Sequence, residues 1–213
     1  VVVAGSDAEW VEQHAAREFA RYASLLTGQQ PALLKDRDPR LATATNAVLV
    51  GNPQTNVTIA DLARDGTVNF DAIRDDGFII QSVRTPEKTC LVLGGTTGRG
   101  TLYAVYHYLQ KYCHIGFFLD GERIPEVGSI VFDGISDLEN PRFRYRKQNR
   151  FGDGHRMIRK YTSHWWKWDD YKRVIDWWAK RKLNEGDLYF GDGGIGGLIA
   201  SGQHQLAAGT CQN

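Results

Sequence analysis

The sequence predicts an α/β fold in two parts: a small mixed sheet with helices on one face over residues 1–135, then a separate β/α unit over residues 136–213. Three observations carry this. Short apolar runs bounded by glycine, asparagine and proline alternate with amphipathic stretches of helical period, as strands alternate with helices. A polar stretch around 136–141, closing on Pro141, interrupts that pattern. Beyond it stand two strand-like runs and a helix, with five of the six tryptophans inside the 15 residues from His164 to Trp178.

The first strand is Val1-Val2-Val3-Ala4. Ser6 and Glu9 have the spacing of a capping box, and a helix follows with Val11, Ala15, Phe19, Ala23 and Leu26 on one face and Glu12, Arg17, Glu18 and Arg21 pointing elsewhere. Thr27-Gly28 ends it, since glycine accepts the left-handed cap at no steric cost. A polar stretch with Pro31 and Pro39 leads to the buried strand Ala47-Val48-Leu49-Val50, closed by Gly51-Asn52-Pro53. A short helix fits 55–64. Asp75-Asp76-Gly77 turns the chain into a strand over 78–83. Cys90-Leu91-Val92-Leu93 answers it as the second arm of an antiparallel hairpin.

A glycine-rich segment, 94–100, joins that arm to a helix with Leu102, Val105, Tyr106, Leu109 and Cys113 inside. Such a turn raises the question of phosphate. The P-loop lysine and hydroxyl are absent, and Gly95, Gly98 and Gly100 do not have dinucleotide spacing, which favours a tight turn under a closely packed helix. A loop follows over 116–125 and a last strand over 129–132. In the second part, 143–149 alternates as a strand, 169–182 reads as a helix with Tyr171, Val174, Ile175 and Trp178 inward, and 187–190 as a second strand. Strand, helix, strand makes one β/α unit whose strands run parallel.

Composition narrows the partners. A net charge of +1, from 26 basic and 25 acidic residues, gives no electrostatic footprint for nucleic acid. No apolar run approaches the roughly 20 residues of a membrane helix. Cys90, Cys113 and Cys211 lack metal or redox spacing, and Cys90 and Cys113 read as buried thiols. The six histidines form no paired ligand motif, so neither metal nor cofactor is called for. Asn56-Val57-Thr58 is a glycosylation sequon.

Two sets of residues carry a resemblance. Ala15-Ala16-Arg17-Glu18-Phe19-Ala20-Arg21-Tyr22 with Thr27-Gly28, then Asp76-Gly77-Phe78-Ile79-Ile80, then 95–106 around Arg99-Gly100-Thr101-Leu102-Tyr103-Ala104, resemble the small α/β domain that precedes the catalytic barrel of hexosaminidases, α-glucuronidases and α-N-acetylglucosaminidases. Tyr145 with Gln148-Asn149, Trp165-Trp166-Lys167-Trp168, Tyr171, Ile175-Asp176-Trp177 and Asn184 resemble the barrel opening of the α-N-acetylglucosaminidases, glycoside hydrolase family 89. The resemblance implies that the β/α unit begins an incomplete TIM-like barrel and that the partner is a glycan containing an (N-acetyl)hexosamine. It also implies a secreted, periplasmic or lysosomal-type location, with the signal peptide absent from this chain.

For the site, Asn149 matches the asparagine that lines the family's sugar pocket, and its amide can donate to and accept from hydroxyls. Phe151 stands where the family has a cysteine. Trp165 and Trp166 offer stacking faces, while Trp168, Tyr171 and Trp178 read as packing. The basic loop residues Arg150, Arg156, Arg159 and Lys160 point to an acidic sugar and to an α-glucuronidase-type barrel as an alternative. A non-catalytic carbohydrate-binding module is another. Glycoside hydrolysis needs two carboxyl groups. Asp169, Asp170, Asp176, Glu185, Asp187 and Asp192 are the local carboxylates, Asp169 and Asp170 read as helix-start residues, and the resemblance places the catalytic pair outside this chain.

Overall fold

The computed structural model describes residues 1–85, 88–126, 130–148 and 167–186. The chain forms two compact units, Val1–Arg144 and Tyr145–Asn213. The first contains β1 (Val2–Ala4), α1 (Trp10–Thr27), β2 (Leu33–Lys35), β3 (Asn46–Gly51), α2 (Val57–Arg64), β4 (Phe78–Arg84), β5 (Thr89–Gly95), α3 (Gly98–Lys111), β6 (Gly116–Phe118), β7 (Gly121–Arg123) and β8 (Ser136–Glu139). The second contains β9 (Lys147–Gln148), α4 (Trp168–Lys180) and β10 (Glu185–Gly186).

Six strands of the first unit make a mixed sheet in the order β2-β1-β3-β5-β4-β8. β2, β1, β3 and β5 are parallel, and β4 runs against both β5 and β8. Alternation along the strands sends Val3, Leu49, Val92 and Ile79 to one face, where Ile59 of α2 and Val68, Phe70 and Ile73 cover them. Val2, Val48, Val50, Ile80, Leu91 and Leu93 are equally buried, on the face that α1 and α3 cover. Burial on both sides explains why β3 and β5 are continuous apolar runs and not alternating ones. Phe78 against His107 of α3, ring centroids 5.2 Å apart, marks the helix-covered face at β4.

The structure departs from the sequence expectation at several elements. The capping box of α1 is Glu9 with Glu12, one turn later than Ser6 with Glu9. The Ser6 amide and hydroxyl both donate to Asp36 Oδ1, at 2.9 and 2.5 Å, which ties Ser6 to Asp36 and leaves the cap to Glu9. Glu12 and Glu18 are buried and do not point to solvent. The polar stretch after α1 supplies an edge strand, β2. Residues 116–123 form the hairpin β6–β7 in place of a loop, held by Phe117 between Tyr22 and Tyr106 and by the Tyr22 hydroxyl donating to Glu122 at 2.5 Å. The last strand is not at 130–132 but at Ser136–Glu139, which pairs with β4 in the register Phe78↔Glu139. The stretch expected as a boundary is therefore an edge strand, and the first unit continues to Arg144.

Expected features also appear. Gly28, at φ 70°, caps α1. β4 and β5 form the antiparallel hairpin. Cys90 and Cys113 are buried free thiols, and burial pushes the Cys113 thiol up to about 11.

Asn56 of the sequon is the N-cap of α2, only 1% exposed, with Oδ1 accepting from Ile59 N at 3.2 Å and Nδ2 donating to Val50 O at 3.4 Å. Its side-chain nitrogen is committed to the fold. Two outcomes follow. The intact mass of the folded chain from a glycosylating host shows no glycan at Asn56. Asn56→Ala lowers the free energy of urea unfolding by about 1–2 kcal/mol, the cost of a lost cap.

Candidate functional site

The four residues singled out from the sequence, Asn149, Phe151, Trp165 and Trp166, lie outside the described residues, as do Asp187 and Asp192. What the structure describes is the frame on either side of them. β9 and β10 pair in parallel, Lys147 beside Glu185 and Gln148 beside Gly186. Asn184 sets that register. Its Oδ1 accepts from Arg146 N at 2.8 Å, and its own N–H donates to Arg146 O at 3.1 Å. Lys182, in the left-handed region at φ 60°, turns its carbonyl to accept from Arg146 Nε at 2.7 Å. The described part of the expected strand 143–149 is the pair Lys147–Gln148 alone, with Phe143 and Tyr145 exposed ahead of it.

α4 connects the two strands and buries Tyr171, Val174 and Trp178, as its period indicates. Asp170 Oδ2 accepts from Lys167 N at 3.0 Å, and Asp169 and Asp170 pair with Lys172 and Arg173 one turn on. Both aspartates serve the helix start, where acidic groups suit the dipole. Asp176 pairs with the buried ammonium of Lys180. Among the described residues no group of three His, Cys, Asp or Glu side chains is placed to hold a metal.

The first unit has its own place for a ligand. β2 and β3 lie on opposite sides of β1, and open α/β sheets bind ligands outside the carboxyl ends of the strands at such a switch point. Here the crevice is filled from within. Glu12 is fully buried, its Oε1 accepting from Asn52 Nδ2 at 2.8 Å and Thr55 Oγ1 at 2.9 Å, its Oε2 from Glu9 N at 3.0 Å. Burial raises its pKa, with the proximity of Glu9 adding to that, and the three donors oppose it.

The glycine-rich turn beside it is also closed. A Cβ on Gly94 would stand 2.6 Å from Gly51 O, one on Gly95 2.6 Å from the Gly100 carbonyl carbon, and one on Gly100 2.6 Å from Gly77 O. These glycines let backbone meet backbone and leave no cradle for phosphate. A hollow of about 420 Å³ lies at the other end of the sheet, between Val2 and Val48 and the inner face of α1, with no charged side chain among the described residues that line it.

Residues 2–108 match the family model described as "Glycosyl hydrolase family 67 N-terminus". No curated protein matches the sequence. Among solved structures, the chain is similar to a family GH115 4-O-methyl-α-glucuronidase with specificity for decorated arabinogalactans (TM-score 0.54, 12% identity, 87% of this chain and 24% of that one). It is also similar to a mutant Streptomyces plicatus β-hexosaminidase in complex with its product GlcNAc (TM-score 0.51, 13% identity, 87% and 29%). A family GH89 enzyme of Clostridium perfringens, in complex with GlcNAc-α-1,4-galactose, gives 0.44 at 15% identity over 85% and 16%, too distant to carry a fold argument. The chain thus spans about a quarter of the length of the first two enzymes, with which it shares the fold.

Removing the plug of the crevice tests its role. Glu12→Ala leaves the buried donors of Asn52 and Thr55 unpaired and lowers stability by about 2–4 kcal/mol. Because the folded pKa of Glu12 is raised, its contribution is fullest below the ordinary glutamate value, near 4.3, and declines as pH rises through the folded value. The stability gap between wild type and variant, measured by thermal melts, is therefore widest at acid pH and narrows toward neutrality.

Proposed function

The chain belongs to the family described as "Glycosyl hydrolase family 67 N-terminus", and from that premise we propose that it is the N-terminal part of a barrel glycoside hydrolase that acts on a glycan bearing an acidic sugar. In this reading Val1–Arg144 is an accessory α/β domain and Tyr145–Asn213 opens the barrel with one parallel β/α unit. The two catalytic carboxylates belong to later strands, outside this chain. An extracytoplasmic location is part of the same proposal.

The observation that carries the reading is the family match over 2–108, together with two glycosidases that share the fold and are each three to four times as long. The choice of an acidic sugar rests on chemistry. Arg150, Arg156, Arg159 and Lys160 fall between β9 and α4, the connection that follows the carboxyl end of a barrel strand, where barrel enzymes assemble their sites. A guanidinium meets a uronate carboxylate with two parallel hydrogen bonds, and a neutral sugar has no equivalent group. The GH115 α-glucuronidase likeness supports the same sugar class.

A second reading keeps the (N-acetyl)hexosamine substrate of an α-N-acetylglucosaminidase type. Asn149 and Trp165-Trp166-Lys167-Trp168 favour it, as does the likeness to the β-hexosaminidase. In both readings Asn149, Phe151, Trp165 and Trp166 form one wall of the sugar pocket. A carbohydrate-binding role without catalysis is the remaining alternative.

The 213-residue chain tests the sugar class. Glucuronic acid quenches its tryptophan fluorescence and N-acetylglucosamine does not, and replacing Trp165 and Trp166 by alanine removes the effect. Quenching by N-acetylglucosamine alone favours the second reading. Aryl glycosides incubated with this chain are not hydrolysed above buffer, and turnover here contradicts the placement of the catalytic carboxylates.

A further inference from the structure

The largest exposed aromatic surface on α1 is Trp10, 68% exposed at the first position of the helix. Burying an indole is worth several times what burying a methyl group is worth, so this face gives a ligand a contact to gain. Its orientation is fixed. The His14 ring lies against it one turn on, centroids 5.5 Å apart and planes within 2°, which leaves a flat, oriented indole presented to solvent.

The surroundings are polar. Positions 10, 13, 14 and 17 share one side of a helix, so Trp10 stands with Gln13, His14 and Arg17. Gln13 is tied back through Nε2 to Ala8 O at 2.8 Å. Arg17 is exposed and makes no ion pair among the described residues. The acidic groups of the helix are engaged elsewhere: Glu9 in the capping box, Glu12 in the crevice, and Glu18 with Arg21 at 2.9 Å and the Tyr106 hydroxyl at 3.0 Å. One aromatic ring among polar side chains is too small and too polar for a protein partner, which takes roughly 800 Å² per side. A flat apolar face with a guanidinium about 10 Å along the helix axis fits a sugar ring and a carboxylate two residues away on the same glycan.

We propose that the α1 face formed by Trp10, His14 and Arg17 is a second, surface carbohydrate-binding platform for the uronate-bearing glycan, with a pyranose stacked on Trp10 and a carboxylate held by Arg17. The choice of an acidic glycan rests on the reading given under Proposed function. The platform itself stands on α1 alone.

The test uses the 213-residue chain and an oligosaccharide carrying one glucuronate residue, with its carboxyl-reduced form as control. The readout is the indole N–H resonance of Trp10, assigned by its loss in Trp10→Ala. The glycan shifts this resonance saturably. Measured by calorimetry in the Trp165→Ala, Trp166→Ala background, Trp10→Ala weakens binding of the glycan about tenfold, the size of one lost stacking contact. Arg17→Ala weakens binding of the acidic form and leaves that of the reduced form unchanged. The Trp165→Ala, Trp166→Ala double variant leaves the Trp10 shift intact. A Trp10 resonance that stays still while the chain binds through Trp165 and Trp166 overturns the platform and keeps the pocket reading. A Trp10 shift of equal affinity with the reduced glycan, insensitive to Arg17→Ala, overturns the acidic specificity. No binding at either place overturns both.

Discussion

The first unit depends on how closely the backbone of α3 approaches the ends of β3 and β5. Gly94 lies against Gly51, Gly95 against Gly100, and Gly100 against Gly77, each at a distance a side chain would forbid. Thr101, fully buried at the junction, accepts from Gly95 N at 3.2 Å and donates to Gly51 O at 3.4 Å, so it satisfies polar backbone that the contact removes from water. With α3 fixed there, α1 packs beside it, and Glu12 closes the crevice between β1 and β3. Arg99, on the first turn of α3, reaches the buried Asp76 at 3.0 Å and ties in the turn that starts β4. The segment that first raised the question of phosphate therefore serves as the joint of the domain.

That joint also bears on where the first unit could hold a ligand. In open α/β sheets the carboxyl ends of the strands are the usual ligand site, and here a carboxylate, an amide and a hydroxyl of the chain itself occupy it. A domain closed in this way has no open ligand site at that end of its sheet. Among the described residues the indole of Trp10 is the largest aromatic face that the first unit leaves exposed.

Legibility in the sequence followed burial. β3 and β5 were readable because both faces are covered, which makes Ala47–Val50 and Cys90–Leu93 unbroken apolar runs. β8 was not, since an edge strand with Ser136, Asp137 and Glu139 carries one large apolar side chain and looks like a linker. The hairpin β6–β7 is three residues per strand and is held by Tyr22, Tyr106 and Glu122, contacts that local periodicity cannot report. Glu12 read as solvated because a charge on a helix usually is. The signal that could have found it was its pairing with Glu9 at capping-box spacing, followed 40 residues on by Asn52 at the end of a strand. Of the site, the sequence made the parallel β/α frame and the helix-start role of Asp169 and Asp170 legible, while Asn149, Phe151, Trp165 and Trp166 lie outside the described residues.

The central claim concerns the enzyme of which this chain is proposed to be the N-terminal part. Its most direct measurement is kcat/KM of that longer protein on an aryl α-glucuronide and on an aryl N-acetyl-α-glucosaminide of the same leaving group. The account predicts turnover of the glucuronide with the glucosaminide at least about 100-fold slower, the discrimination expected when a site built to bind a carboxylate is left without it. Preference for the glucosaminide, or no hydrolysis of either, contradicts it.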